Sequence, residues 1–529
     1  MMKTRLTRTP PAGRLRLLKT ALLALPFCLL AACTEPAPPA PVSPAPEYDV
    51  LVKGGLVYDG DGGKPFRADV AIDDDRIAAI GDIDGGADLV IDAQGLAVAP
   101  GFINMLSWAN ESLIEDGRSQ GDIRQGVTLE VMGEGWSMGP ANDAMKAEAV
   151  ELQWDIRYDI EWTTLGEYLQ YLENRGISTN VASFVGATTV RIHVLGYEDR
   201  APTPEELLQM QALVDQAMQE GALGVGSSLI YAPAFYSSTE ELIALNKVVA
   251  KYGGRYISHI RNEGGDLLQA IGELITVARE AGVGAEIYHL KAAGKENWHL
   301  MDEAFALVEA ARAEGLDITA DMYTYTAGAT GLEAAMPPWV QEGGHAAWVE
   351  RLRDPDIRAR VIAEMRRHGD GWENLYYAAG GADKLLLLGF KNPDLKHLTG
   401  KTLAEVAEMR GTSPEDTAID LVIEDDSRVG TAYFLMSEEK VRKKIAKPWV
   451  AFGSDAESAA PEGVFLESNP HPRAYGTFAR LLGKYVREEG VITLQEAIRR
   501  LTSFPADNLG LEDRGRLQEG YFADLAVFD

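Results

Sequence analysis

Cysteine is nearly absent from this chain: of its 529 residues only Cys28 and Cys33 are cysteine, and both lie at the extreme N-terminus. Everything after residue 33 therefore has no disulfide, no thiolate metal ligand and no thiol nucleophile. Positive charge is also scarce. Fifty Lys and Arg face 80 Asp and Glu, and because the first 32 residues hold six basic groups and no acidic one, the remainder sets 44 against 80, a net charge of -36. Such a chain repels nucleic acid, and its acidity reads as a well-solvated surface. A third shortage is local. The segment PGFINMLSWANES (residues 100 to 112) has the setting of a metal site, a buried run leaving a Pro-Gly turn, yet Asn104, Leu106 and Trp108 stand where histidines would be expected.

What is present is an ordinary folded composition, 46% hydrophobic and 25% charged, with enough residues for one large domain and appendages. The N-terminus reads as a targeting segment. Lys3, Arg5, Arg8, Arg14, Arg16 and Lys19 precede an apolar stretch from Thr20 to Ala32, too short to span a bilayer as a finished helix. Leu30-Ala31-Ala32-Cys33 resembles a bacterial lipobox, which implies lipidation at Cys33 and, with Thr34 rather than Asp next, sorting to the outer membrane of a Gram-negative bacterium, the protein facing the periplasm. A plain secretory signal is the alternative. Residues 34 to 47, TEPAPPAPVSPAPE, read as a Pro-rich tether that at about 3.1 Å per residue reaches roughly 40 Å.

From Tyr48 the text YDVLVKGGLVYDGDG, ADVAIDDDRIAAIGDI and DLVIDAQGLAVAP reads as short strands punctuated by Gly and Asp turns. After Gly101 apolar strands alternate with helical stretches: a strand around Phe102, then 127–135, 180–186, 222–228, 255–261, 285–291, 317–325 and 449–455. Eight such units predict an α/β fold, a closed (β/α)₈ barrel with its chemistry at the C-terminal ends of the strands. Residues 330–448 are too many for a structureless loop and are expected to form a helical insertion over the barrel mouth.

Among eight histidines, His259 and His289 occupy the same place in consecutive strands, one βα period apart, which brings two imidazoles to one height for a divalent metal. Asp455 ends the last strand, where a carboxylate can take a proton from an activated water; capping the following segment is its plainer use. With no thiolate to complete the metal set, Glu134 in VMGEGWS is the third ligand expected, with Glu130 as fallback, giving a His₂Glu site open to water. Arg261 and Lys291 each lie two residues past a histidine, on the same face by strand alternation, and Arg473 sits in HPRAYG; together they suit an anionic small substrate, unless internal salt bridges consume them.

The ordered motifs GALGVGSSLIYAPAFYSSTEEL, YISHIRNEGGDLLQAI, YHLKAAGKENW, ITADMYTYTAGATGL, PWVAFGSDA, NPHPRAYGTFARLLGKYVRE and LTSFPADNLGLEDRGRLQEGYFADLAVFD resemble the N-acyl-D-amino-acid deacylases (D-aminoacylases) of the amidohydrolase superfamily, over nearly all of Tyr48 to Asp529. The resemblance implies a zinc-dependent barrel spanning 100–504, a composite β-sandwich from 48–99 and 505–529, an insertion after strand seven, and hydrolysis of a linear N-acyl amide. It makes His259 and His289 zinc ligands, Asp455 the catalytic aspartate, and Lys291, Tyr323 or Tyr325, and Arg473 the binders of the substrate's carboxylate. Three departures stand out. Leu106, Trp108 and Asn110 replace the family's His-x-His-x-Asp run, Gly135 falls at its cysteine ligand with Glu134 alongside, and the text stops at LAVFD, leaving an open sheet edge as the expectation. One zinc ion on His259, His289 and Glu134, with Leu106 and Trp108 filling the second position with apolar volume, is the expected outcome. A catalytically silent barrel binding acyl-amino or peptidoglycan-derived ligands, and a hydrolase of cyclic amides or β-aspartyl dipeptides, are the alternatives.

Overall fold

The computed structural model describes residues 47–529. The leader, the Cys33 lipobox and all but the last residue of the tether lie outside them. Among the described residues no helix is long and apolar enough to cross a membrane.

Both chain ends contribute to one six-stranded sheet. β1 (Tyr48–Val57) pairs antiparallel with β2 (Phe66–Asp73), which pairs with β3 (Arg76–Gly81); on its other side β1 runs parallel to β4 (Ala87–Asp92) and then β5 (Ala97–Pro100). The C-terminal strand, Leu525–Phe528, adds antiparallel to β5. Val52, Val57, Val70, Ile77 and Val98 form a small core on one face with Leu517; Val52 and Val57, five residues apart, share that face because the register of β1 shifts between Val52 and Gly55. β4 is an edge strand and leaves Leu89 and Val90 exposed.

The barrel follows directly from β5. Its strands are β6 (Phe102–Asn104), β7 (Val127–Met132), β8 (Asn180–Ser183) continued by β9 (Val185–Gly186), β10 (Gly224–Ser228), β11 (Arg255–His259), β12 (Gly284–Ile287) and β13 (Ile318–Ala320), all parallel to their neighbours. Residues 449–455 were expected as a full eighth strand and form instead a thin seam. Val450 bridges Ala320, Ala456 bridges Ser107, and Met105 N–H reaches the Phe452 carbonyl at 3.2 Å. The reason lies at the end of the segment: Asp455 turns into the left-handed region, and side chains carry the closure. Asn104 accepts from the Ser454 N–H at 2.8 Å and donates to Ser454 Oγ at 2.8 Å and Asp122 Oδ1 at 2.9 Å.

Helices pack outside the barrel for reasons readable in their text. Leu267–Ala281 buries Leu267, Ala270, Ile271, Leu274 and Ala278, an i, i+3, i+4 stripe, and stops at Gly282 in the left-handed region. Truncating one of the larger of these, such as Ile271→Ala, costs about 2–5 kcal/mol. Pro204–Gln219 starts at a Thr203 capping box closed by Glu206.

The insertion is mixed rather than helical. β14 (Gly328–Gly331), β15 (Leu385–Gly389) and β16 (Gly430–Tyr433) form an antiparallel sheet, with helices His345–Arg353, Pro355–Met365 and Pro414–Asp425 around a separate core that includes Leu332, Trp348, Leu387 and Tyr433. The apolar run LLLLG makes a strand because it pairs with Gly430–Tyr433, a partner more than forty residues away that periodicity alone does not reveal. Glu373 Oε2 accepts from the Glu263 N–H at 2.7 Å, so the insertion reaches the C-terminal end of the barrel.

Candidate metal centre and active site

Each polar side chain at the barrel mouth is aimed by the chain just past a strand end. Glu134 follows β7 between Gly133 and Gly135, with φ of +107° and +71°. A Cβ on Gly133 would lie 2.3 Å from the Phe184 carbonyl oxygen, and one on Gly135 would lie 2.7 Å from Ser228 Cβ, so only glycine lets this turn nestle against the neighbouring strands. His259 is the last residue of β11. His289 and Asp455 have φ of +37° and +51°, unusual for non-glycine residues and typical of backbone held at a working site. The Asp321 carboxyl accepts from His289 N–H at 2.8 Å, and the Leu106 carbonyl accepts from Asp455 N–H at 2.8 Å.

The three expected ligands converge. Glu134 Oε1 lies 3.1 Å from His259 Nδ1 and 2.9 Å from His289 Nε2, and the two imidazoles stand nearly perpendicular with centroids 4.4 Å apart. Donors around a tetrahedral zinc at about 2.0–2.1 Å sit about 3.3 Å apart, so a shift of a few tenths of an ångström admits the ion. Charge agrees with geometry. Burial and Lys291 push His289 down, but Glu263 and Glu134 outweigh them and hold it up at about 10, a potential that favours a cation. For Glu134, burial is outweighed by the two histidines, which hold it well below the usual carboxylate range. Burial pushes His259 below its ordinary range against the pull of Glu263 and Glu134.

Glu263, a residue not singled out in the sequence, backs the His289 imidazole and approaches that of His259. Its Oε1 is 3.0 Å from His289 Nδ1 and its Oε2 is 3.5 Å from His259 Nε2, the ring atoms turned away from Glu134. Lys291 Nζ bonds both oxygens at 2.7 and 2.8 Å. An outer carboxylate of this kind fixes which nitrogen a metal-binding histidine presents. His259, Glu263 and Glu373 also lie close enough to hold an ion, but the Lys291 ammonium already neutralises Glu263, so this group supports the first set. Its marker in the sequence was the i+4 spacing from His259 in HIRNE.

Asp455 Oδ2 is 2.5 Å from Arg473 Nη1, an ion pair without hydrogen-bond alignment. Burial pushes Asp455 up to about 6, against the pull of Arg473 and His289. The Arg473 guanidinium stacks 4.7 Å from the Tyr323 ring, with Lys291 Nζ at 5.8 Å on that ring. Arg473 Nε and Nη1 and the Tyr323 hydroxyl are buried and have no aligned partner among the described residues. Buried donors are almost always satisfied, so the two with no partner at all, Arg473 Nε and the Tyr323 hydroxyl, mark a place for an oxyanion. His471, held neutral at about 3 by burial and by Arg473, accepts the Arg473 backbone N–H on Nδ1 at 3.0 Å, while the guanidinium donates from Nη2 to the Ala329 carbonyl at 3.2 Å.

Three expectations need correction. Arg261 does not enter the site. β11 ends at His259, alternation stops with it, and the guanidinium turns out to Glu273 at 2.8 and 2.9 Å and to the Phe235 and Ser237 carbonyls. Tyr325 points away toward His471 and Arg480, leaving Tyr323 beside Arg473. Trp108 is not apolar filling: its indole N–H donates to Glu134 Oε2 at 3.0 Å, whereas Leu106 is fully buried in the barrel core. The fallback ligand Glu130 lies away from the histidines, accepting from Ser107, Ser119 and Thr179.

A parallel barrel holding two histidines and a carboxylate at its strand ends, beside a buried aspartate, defines the architecture of a metal-dependent hydrolase. The chain belongs to the Amidohydrolase family, which it matches over residues 89–529. It is similar to the D-aminoacylase of Alcaligenes xylosoxydans xylosoxydans, 33% identical over 91% of this chain and 88% of that protein. Among solved structures it resembles the N-acyl-D-glutamate deacylase of Bordetella bronchiseptica, complexed with zinc and a phosphonate mimic of the tetrahedral intermediate (29% identity, TM-score 0.74, 91% of this chain and 90% of the other). It equally resembles a D-aminoacylase whose binuclear metal centre is described as showing one-metal activation and second-metal attenuation (32%, TM-score 0.74, the same coverage).

Proposed function

We propose that this protein is a metal-dependent amidohydrolase that cleaves the linear amide of N-acyl amino acids of D configuration, using one zinc ion on His259, His289 and Glu134. The convergence of those three buried side chains on a common point carries the reading, and the activities of the relatives supply the substrate class. When bound, the ion supplies Lewis-acid polarisation of the amide carbonyl and makes water a competent nucleophile near neutral pH. Asp455, as carboxylate, accepts the proton of the attacking water on its Oδ and returns it to the leaving nitrogen. Arg473 Nε and the Tyr323 hydroxyl offer their unspent donors to the substrate's α-carboxylate. The departing product is a free amino acid, and the acyl group leaves as a carboxylate.

The lipobox-like Leu30-Ala31-Ala32-Cys33 supports a lipid-anchored periplasmic location with attachment through Cys33. Metal analysis of the purified protein with a screen of N-acyl-D- and N-acyl-L-amino acids tests the activity. Bound zinc near one per chain with turnover of D substrates is expected; no bound metal and no turnover with added Zn²⁺ refutes it. Mass spectrometry of the mature N-terminus tests the anchor, and an unmodified residue there removes it.

A further inference from the structure

Trp108, which stands at a lost histidine position, and Glu134, the expected third ligand, touch each other. Trp108 follows β6, and its backbone is pinned by its own N–H to the Ala456 carbonyl at 2.9 Å and by the preceding Ser107 N–H to the Val131 carbonyl at 2.8 Å. From this fixed stretch the indole Nε1–H reaches Glu134 Oε2 at 3.0 Å. The other oxygen of the same carboxylate, Oε1, is the one that faces both His259 Nδ1 and His289 Nε2. One carboxylate thus presents one oxygen to the imidazoles and the other to the indole.

The chemistry of the indole suits that division. The last torsion of a glutamate is broad and nearly two-fold, so an unrestrained Glu134 could turn either oxygen, or both, toward the imidazoles. Indole N–H is a donor only and is neutral. It fixes the carboxylate plane without consuming its charge, whereas a lysine or arginine in the same place would compete with a cation for it. We infer that Trp108 is a positioning residue for the metal centre, its indole N–H holding Glu134 Oε2 so that Oε1 is the single oxygen offered to the ion between His259 and His289. Substitution of Trp108 and substitution of Glu134 therefore act through one hydrogen bond, and the two residues form a unit in this chain.

This inference rests on Glu134 being a metal ligand, and the test separates the two claims. Metal-free wild type, Trp108→Phe, Glu134→Ala and the double variant are titrated with Zn²⁺ against a chromogenic chelator. Trp108→Phe keeps an apolar ring at a position 36% exposed, and Trp108→Leu serves as a second N–H-free variant. Circular dichroism melts confirm folding. The expected result is zinc affinity weakened about 10–100-fold by Trp108→Phe, the range for loss of an outer-shell partner. Glu134→Ala weakens it further, and adding Trp108→Phe to Glu134→Ala changes nothing more. A purely structural role for the indole would give additive losses, and that result, or affinity within twofold of wild type in both Trp108 variants, overturns the inference. If Glu134→Ala itself leaves zinc affinity unchanged, the metal reading fails and this one with it; if only the Trp108 variants bind normally, this one alone fails.

Discussion

Replacing Glu263 by Gln removes one negative charge where four buried groups meet. The carboxylate bonds Lys291 Nζ through both oxygens at 2.7 and 2.8 Å, lies 3.0 Å from His289 Nδ1 and approaches His259 Nε2 at 3.5 Å. Breaking a buried ion pair by neutralising one partner costs about 3–5 kcal/mol because the other charge is stranded. Burial pushes Lys291 down and Glu263 holds it above its ordinary range, so without Glu263 the lysine can shed its proton and the loss falls at the lower end, about 3 kcal/mol. The metal centre responds separately. Outer acceptors of metal-binding histidines are worth about 10–100-fold in affinity, and since the Gln oxygen can still accept one hydrogen bond, a weakening near tenfold, about 1.4 kcal/mol, is expected. Urea unfolding of the metal-free protein reads the first quantity and zinc titration against a chelator the second. An unchanged unfolding midpoint together with zinc affinity within twofold of wild type would refute the assignment of Glu263 as the group that orients the His289 imidazole.

Asp455→Asn keeps the shape of the side chain and removes the base; kcat is expected to fall about 10²–10⁴-fold with zinc content unchanged, and a variant retaining a tenth of wild-type kcat counts against it. Asp455 must be ionised to act, so activity is lost as pH falls through its pKa, which burial sets at about 6 and a bound cation lowers, placing the acid limb at or below pH 6. Removing the guanidinium in Arg473→Ala takes away a lowering influence, so the limb of kcat/KM moves up; a limb that stays or moves down contradicts the pairing. Arg261→Ala loses the clamp on Glu273 and two carbonyls, which costs about 1–3 kcal/mol of stability. Its KM should stay within twofold of wild type, and a large rise in KM would return Arg261 to the substrate site.

The residues differ in how visible their roles were. His259 and His289 could be paired from the text because a βα period sets their height in the barrel, and Glu134 followed because no cysteine was left to serve. Arg261 misled because alternation holds only inside a strand, and β11 stops two residues earlier. The same early stop at β12 lets His289 turn into a left-handed conformation, which no pattern of apolar residues announces. The eighth strand was legible as an apolar run, yet its ladder is thin because Ser454 and Asp455 are spent on Asn104, Leu106 and the site.

Composition and order along the chain therefore sufficed for the barrel: apolar segments alternating with helices give a parallel sheet, eight such units match a closed barrel, and that closure sets which ends carry chemistry. Contacts between residues distant in the chain were decided by the folded structure alone. Trp108 meets Glu134, Glu263 meets His289 and Lys291, and Arg473 meets Asp455 because strand ends from separate units are gathered around one axis. A hydrogen bond acts over about 3 Å, and nothing in the linear order of residues records which side chains come within that distance.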